Sequence, residues 1–81
     1  MSENSKLRIN VDDLEDDRYT YYYEGEPFTG IALYFRKDGQ LEREEEYRDG
    51  HANGLYRRYG PQGQLVLEGE VQKRGGSRAL A

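Results

Sequence analysis

Along the middle of the chain, apolar and polar residues alternate with a period of two. Ile31, Leu33 and Phe35 alternate with Ala32 and Tyr34, and Leu65, Leu67 and Val71 with Gln64, Val66, Glu68 and Glu70. Successive side chains of a strand point to opposite faces, so the pattern is that of strands buried on one side. Turn signals separate the runs. Lys37-Asp38-Gly39 and Arg48-Asp49-Gly50 carry Asp-Gly pairs, which tolerate positive φ, and Gly60-Pro61-Gln62-Gly63 combines a fixed φ with a permissive one. The spacing predicts strands at 19–24, 30–36, 40–48, 54–59 and 64–72, with a further short one through Leu7-Arg8-Ile9-Asn10-Val11. Connections this short force antiparallel neighbours.

The strands recur. Tyr23, Gly30, Gly39-Gln40-Leu41, Glu44 and Glu46 match Tyr47, Gly54, Gly63-Gln64-Leu65, Glu68 and Glu70 at an offset of 24 residues. Ile31/Leu55 and Phe35/Tyr59 are conservative pairs at the same offset. Each repeat reads as one β-hairpin, so the expected fold is all-β. It is an antiparallel meander of tandem hairpins in a single twisted sheet of about 5–6 strands. Three regions follow: an acidic N-terminal segment (1–18) with room for one short strand, the hairpin-repeat domain (19–72), and a flexible tail (73–81).

Tyr23-Glu24-Gly25-Glu26-Pro27-Phe28-Thr29-Gly30, Asp38-Gly39-Gln40-Leu41, Glu46-Tyr47-Arg48-Asp49-Gly50, Gly54-Leu55-Tyr56 and Gly63-Gln64-Leu65 with Glu68-Gly69 resemble the MORN-repeat-variant family, which includes YwqK-type antitoxin-like proteins. The resemblance covers residues 19–71. It implies tandem β-hairpins, a protein-binding role, and often an antitoxin or immunity assignment, with no catalytic residues to carry over. Gly50 and Gly54 align with Arg74 and Arg78, so the last unit lacks the closing glycines and a capped short sheet is expected, not a long array.

Composition changes the picture in two ways. Only 35% of the 81 residues are hydrophobic, but eight are tyrosines, each able to bury a ring while its hydroxyl stays wet. Charge is also uneven within the net −4. Residues 1–26 hold eight acids against three bases, whereas residues 51–81 hold two against five. No basic stripe suits a nucleic acid, and no patch suits an anionic membrane. The acidic half instead fits a basic protein partner, or simply a solvated surface. The chain has no cysteine, excluding disulfides and thiolate metal sites and suiting a reducing cytoplasm. Residues 1–10 lack the apolar run of a signal peptide, so a cytoplasmic location is expected.

Catalytic chemistry finds no footing. The single histidine, His51, follows a turn glycine with only Asp49 near it, and reads as a solvated turn residue. Ser2, Ser5 and Ser77 lie in terminal segments without a base. A calcium loop beginning at Asp12 would need glycine at its sixth position, where Asp17 stands. No enzyme activity, cofactor or metal is therefore expected, and the glycines read as turn formers.

What remains is an interaction surface. If Ile31, Leu33, Phe35, Leu41, Tyr47, Leu55, Tyr59, Leu65, Leu67 and Val71 point inward, the other face carries Tyr22, Tyr34, Tyr56, Arg58 and Glu42, Glu44, Glu46, Glu68 and Glu70. Tyr and Arg are enriched at interface hot spots, although tyrosines also pair across strands for purely structural ends. With the acidic run Asp12, Asp13, Glu15, Asp16 and Asp17, that face is the expected partner-binding surface. The partner is another protein, with a basic toxin foremost. The alternative is a structural protein that self-associates through its strand edges or apolar face.

Overall fold

A computed structural model of the protein describes residues 7–71; the expected flexible tail at 73–81 lies outside them. Eight strands form, β1 (Arg8–Asn10), β2 (Glu15–Asp16), β3 (Tyr21–Tyr23), β4 (Glu26–Pro27), β5 (Gly30–Phe35), β6 (Leu41–Arg48), β7 (His51–Tyr59) and β8 (Leu65–Val71). A 3-10 turn at Val11–Asp13 joins β1 to β2. The described residues make two sheets, not the expected single meander. One has five strands in the order β1-β5-β6-β7-β8, and the other three in the order β2-β3-β4.

The four long strands are the predicted antiparallel hairpins. The 24-residue spacing reappears in their hydrogen bonds. Arg36 N–H donates to Gln40 O and Gly39 N–H to Arg36 O; Gly60 N–H donates to Gln64 O and Gly63 N–H to Gly60 O. A register shift follows the same rule, falling between Tyr34 and Phe35 in one hairpin and between Arg58 and Tyr59 in the other. β1 departs from the meander. It lies parallel to β5, with Arg8 opposite Ile31 and Asn10 opposite Leu33. His51 is not a turn residue but opens β7, opposite Arg48.

On β5 the core sits on the face that alternation had assigned to the exterior, whereas Tyr47, expected inward, is buried. Phe28, Ala32 and Tyr47 are buried, ringed by Ile9, Val11, Leu14, Tyr21, Tyr23, Tyr34 and Ala52. The register explains the inversion. Ala32 pairs with Glu45 and Gly30 with Tyr47, so Tyr47 shares a face with Ala32 and Tyr34, not with Ile31 and Leu33. A shift of one residue exchanges the faces of a strand. The small sheet covers this inner face: Tyr21 meets Tyr47 edge-on at 5.1 Å, and Tyr23 meets Phe28 at 6.2 Å. Rings in such T-shaped contacts gain beyond their buried area.

Gly50 ties the two sheets together. Asp49 and Gly50, both at positive φ, turn the chain from β6 into β7. The Gly50 N–H donates to Phe28 O, Tyr21 N–H donates to Gly50 O, and Phe28 N–H donates to Tyr21 O. A side chain at this buried glycine would run into Thr20.

Candidate functional site

The structure sends the residues of the expected interaction surface to three places. The first is the segment running from the 3-10 turn at Val11–Asp13 through β2 to the turn after it. Asp12, Asp13, Glu15, Asp16 and Asp17 are all exposed there. Two of these carboxylates build turns: Asp16 accepts from Arg18 N–H, and Asp17 accepts from Tyr19 and Thr20 N–H and from the Tyr22 hydroxyl. Those backbone donors, Tyr19 first, hold the Asp17 carboxyl below its ordinary range. Thus Tyr22 joins the acidic segment and not the face of Tyr34.

The second place is the inner face beyond the small sheet, where Tyr34, Tyr56 and Arg58 share a side with Arg43 and Glu45. The Tyr34 and Tyr47 hydroxyls lie 3.1 Å apart, each 3.2 Å from Glu45 Oε1. The Arg43 guanidinium lies over the Tyr34 ring at 4.0 Å. Burial, followed by the Tyr34 hydrogen bond, pushes the Tyr47 phenol far above its ordinary range. The Arg43 pKa is raised as well: burial opposes the charge, but Glu45 and Tyr34 more than offset it. This polar cluster caps the core.

The third place is the opposite, outer face. Leu33, Glu44, Arg57 and Glu68 form one row across β5, β6, β7 and β8, so Glu44 lies with Leu33 and not with Tyr34. Glu46, opposite Ile31, is on this face too and accepts from Leu55 N–H. Glu42 falls at the register shift of β6, half-buried. Charges of alternating sign run along the row. Arg8 meets Glu44 at 2.6 Å, Arg57 lies 3.8 Å from Glu44, and Arg57 Nε donates to Glu68 at 2.9 Å. The Tyr59 hydroxyl donates to Glu44 at 2.7 Å.

Glu44 was expected on the partner-binding surface, yet it is only 7% exposed. Burial raises its pKa, but Tyr59, Arg8 and Arg57 together bring it below the ordinary value. Arg8, Gln40, Leu41, Glu44, Tyr59 and Gln62 line an open cavity of about 440 Å³ beside this row. On β5, β7 and β8, Phe35, Leu55 and Leu65 remain exposed.

Sequence reasoning missed Arg8, Arg57, Tyr59 and Glu68 as a connected set. The repeat held the signal for part of it, because Glu44 and Glu68 are equivalent residues and Arg57 alternates with Tyr59 between them. Among the described residues no group of three or more His, Asp or Glu is placed to hold a metal ion, and no helix is long and apolar enough to cross a membrane. The chain matches no protein-family model, no curated protein and no solved structure.

Proposed function

We propose that the chain is a non-catalytic protein-binding module, acting as an antitoxin- or immunity-like inhibitor of a basic partner protein. The observation that carries this reading is the outer sheet face. There, Phe35, Leu55 and Leu65 stay exposed around the ordered row Arg8, Glu44, Arg57 and Glu68. Exposed apolar side chains around fixed charges are the composition of a docking surface, the apolar part giving affinity and the charges giving register. The five exposed carboxylates from Asp12 to Asp17 support a basic partner, and the resemblance of residues 19–71 to MORN-repeat variants supports an inhibitor of the antitoxin kind. Co-expression with the neighbouring gene products, followed by pull-down, tests the proposal. A stable complex whose association slows as salt rises is the expected result. Absence of any complex with those products would remove the antitoxin assignment.

The second reading, a self-associating structural protein without a toxin partner, is favoured by β8. Every residue of this seven-residue edge strand is exposed, and such edges recruit further strands. Light scattering over a concentration series separates the two readings, because a strict monomer at high concentration has no self-assembly role.

A further inference from the structure

β6 and β8 are equivalent strands 24 residues apart, closed by equivalent turns and displaced by equivalent register shifts. The outer edge of β6 is filled by β7, which sets Arg57 opposite Glu44 and Tyr56 opposite Glu45. Within the five-stranded sheet β8 is an end strand, and among the described residues no strand pairs with its outer edge. Glu68 stands at the Glu44 position and Gly69 at the Glu45 position.

Both positions lack what β7 supplies to β6. Glu44 receives Arg57 from the strand on its outer side, besides Arg8 from β1, whereas Glu68 meets the same Arg57 on its inner side. Among the described residues no cation faces Glu68 from the outer edge, and its side chain is 46% exposed. At Gly69, an added Cβ would meet nothing within 4 Å. Tyr56 lies opposite both Glu45 and Gly69, so this row is occupied on the β7 side of Gly69 and open on its outer side. Aromatic side chains cover cross-strand glycines of this kind. Leu65, Val66 and Leu67 add exposed apolar surface along the same strand, and no proline or lysine blunts it.

We infer that the outer edge of β8 is a docking site for an extended, antiparallel strand of a partner protein. That strand carries an aromatic residue opposite Gly69, followed directly by a cation opposite Glu68. Main-chain hydrogen bonds supply the affinity, and the two side chains fix the register. The inference rests on the protein-binding reading above and names the partner segment that the module would grip.

The test is fluorescence anisotropy with the full chain and a blocked synthetic peptide copying residues 51–59, which contains the Tyr-Arg pair in the required order. Saturable binding is expected, weakened about fivefold when the peptide's Arg57 position is made Glu. A Glu68→Lys chain, its fold checked by circular dichroism, should restore binding of that altered peptide. Gly69→Val, which adds a side chain into open space, should weaken the original peptide without loss of fold. Absence of saturable binding overturns the inference, as does binding indifferent to the charge reversals. Binding seen only in a chain ending at Gln72 would assign the edge to residues 73–81. A chain dimer that excess peptide fails to dissociate would assign it to a second copy. In either case the inference falls. If a co-expressed partner is captured equally by the Glu68→Lys chain, protein binding stands and β8 is not its site.

Discussion

The Tyr59 hydroxyl donates to the Glu44 carboxylate at 2.7 Å, joining the end of β7 to the middle of β6 where Arg8 and Arg57 also converge. Hydrogen bonds to a carboxylate are stronger than neutral ones, and a buried acceptor is costly to orphan. Tyr59→Phe should therefore lower stability by about 1–2 kcal/mol. Glu44→Ala should cost about 1–3 kcal/mol, because it leaves the Tyr59 hydroxyl and the Arg8 guanidinium without their acceptor, while Arg57 keeps Glu68. Urea denaturation of the two single variants and the double variant measures each. Non-additivity is expected, since the residues share one network.

The same carboxylate makes stability depend on pH at the acid end. Glu44 is held below its ordinary value of 4.5 in the folded chain. The folded state thus binds its proton less readily than the unfolded one. The resulting stabilisation is fully present above pH 4.5 and is lost as pH falls through the lower, folded value. Tyr47 works at the other end. Its phenol is raised above the ordinary 10.0 by burial, so unfolding is favoured once pH exceeds that value. Denaturant midpoints followed across pH should fall at both limbs. Glu44→Gln should flatten the acid limb, and Tyr47→Phe the alkaline one.

Two glycines of similar backbone conformation give a controlled comparison. Gly25 and Gly50 have φ of +87° and +89°, but a Cβ at Gly25 meets nothing within 4 Å whereas one at Gly50 meets Thr20 and the Tyr21 carbonyl. An L side chain in the left-handed region costs roughly 1–2 kcal/mol by itself. Gly25→Ala should show about that loss. Gly50→Ala should exceed it by about 2 kcal/mol or more, because the turn would have to leave Phe28 and Tyr21. Thermal unfolding of the pair separates backbone strain from lost docking between the sheets.

The hairpins were legible because two local signals agreed. Alternation marked β5 and β8, and the 24-residue offset between Gly39-Gln40-Leu41 and Gly63-Gln64-Leu65 located equivalent turns. β1 was legible as a strand, but not its place, because no local pattern tells that Arg8 will lie beside Ile31. The choice of core face failed for a different reason. Both faces of β5 are apolar, Ile31 and Leu33 on one and Ala32 and Tyr34 on the other. Tertiary contact with Phe28 and Tyr21, and not hydrophobicity, decided which was buried. Residue type alone also could not show that Glu44 would be buried, since its burial depends on Arg8 arriving from a strand that is distant in sequence.

The inversion of faces has a measurable consequence in the two phenylalanines. Alternation had put Phe35 in the core, yet it is 43% exposed, while Phe28 is 1% exposed and touches the Tyr23 and Tyr47 rings. Removing a buried ring costs lost transfer energy together with the cavity left behind, about 3–5 kcal/mol for Phe→Ala. Phe28→Ala should take most of the stability of so small a domain, whose total is expected near the low end of about 5–15 kcal/mol. The unfolded fraction should become visible by circular dichroism without denaturant. Phe35→Ala should cost under about 1.5 kcal/mol, because much of its ring stays in water and its site opens to solvent. A costlier Phe35→Ala would mean that the outer face is the structural core. The opposite ranking, with Phe28 the costlier, is what the packing of Tyr21, Tyr23 and Tyr47 around it requires.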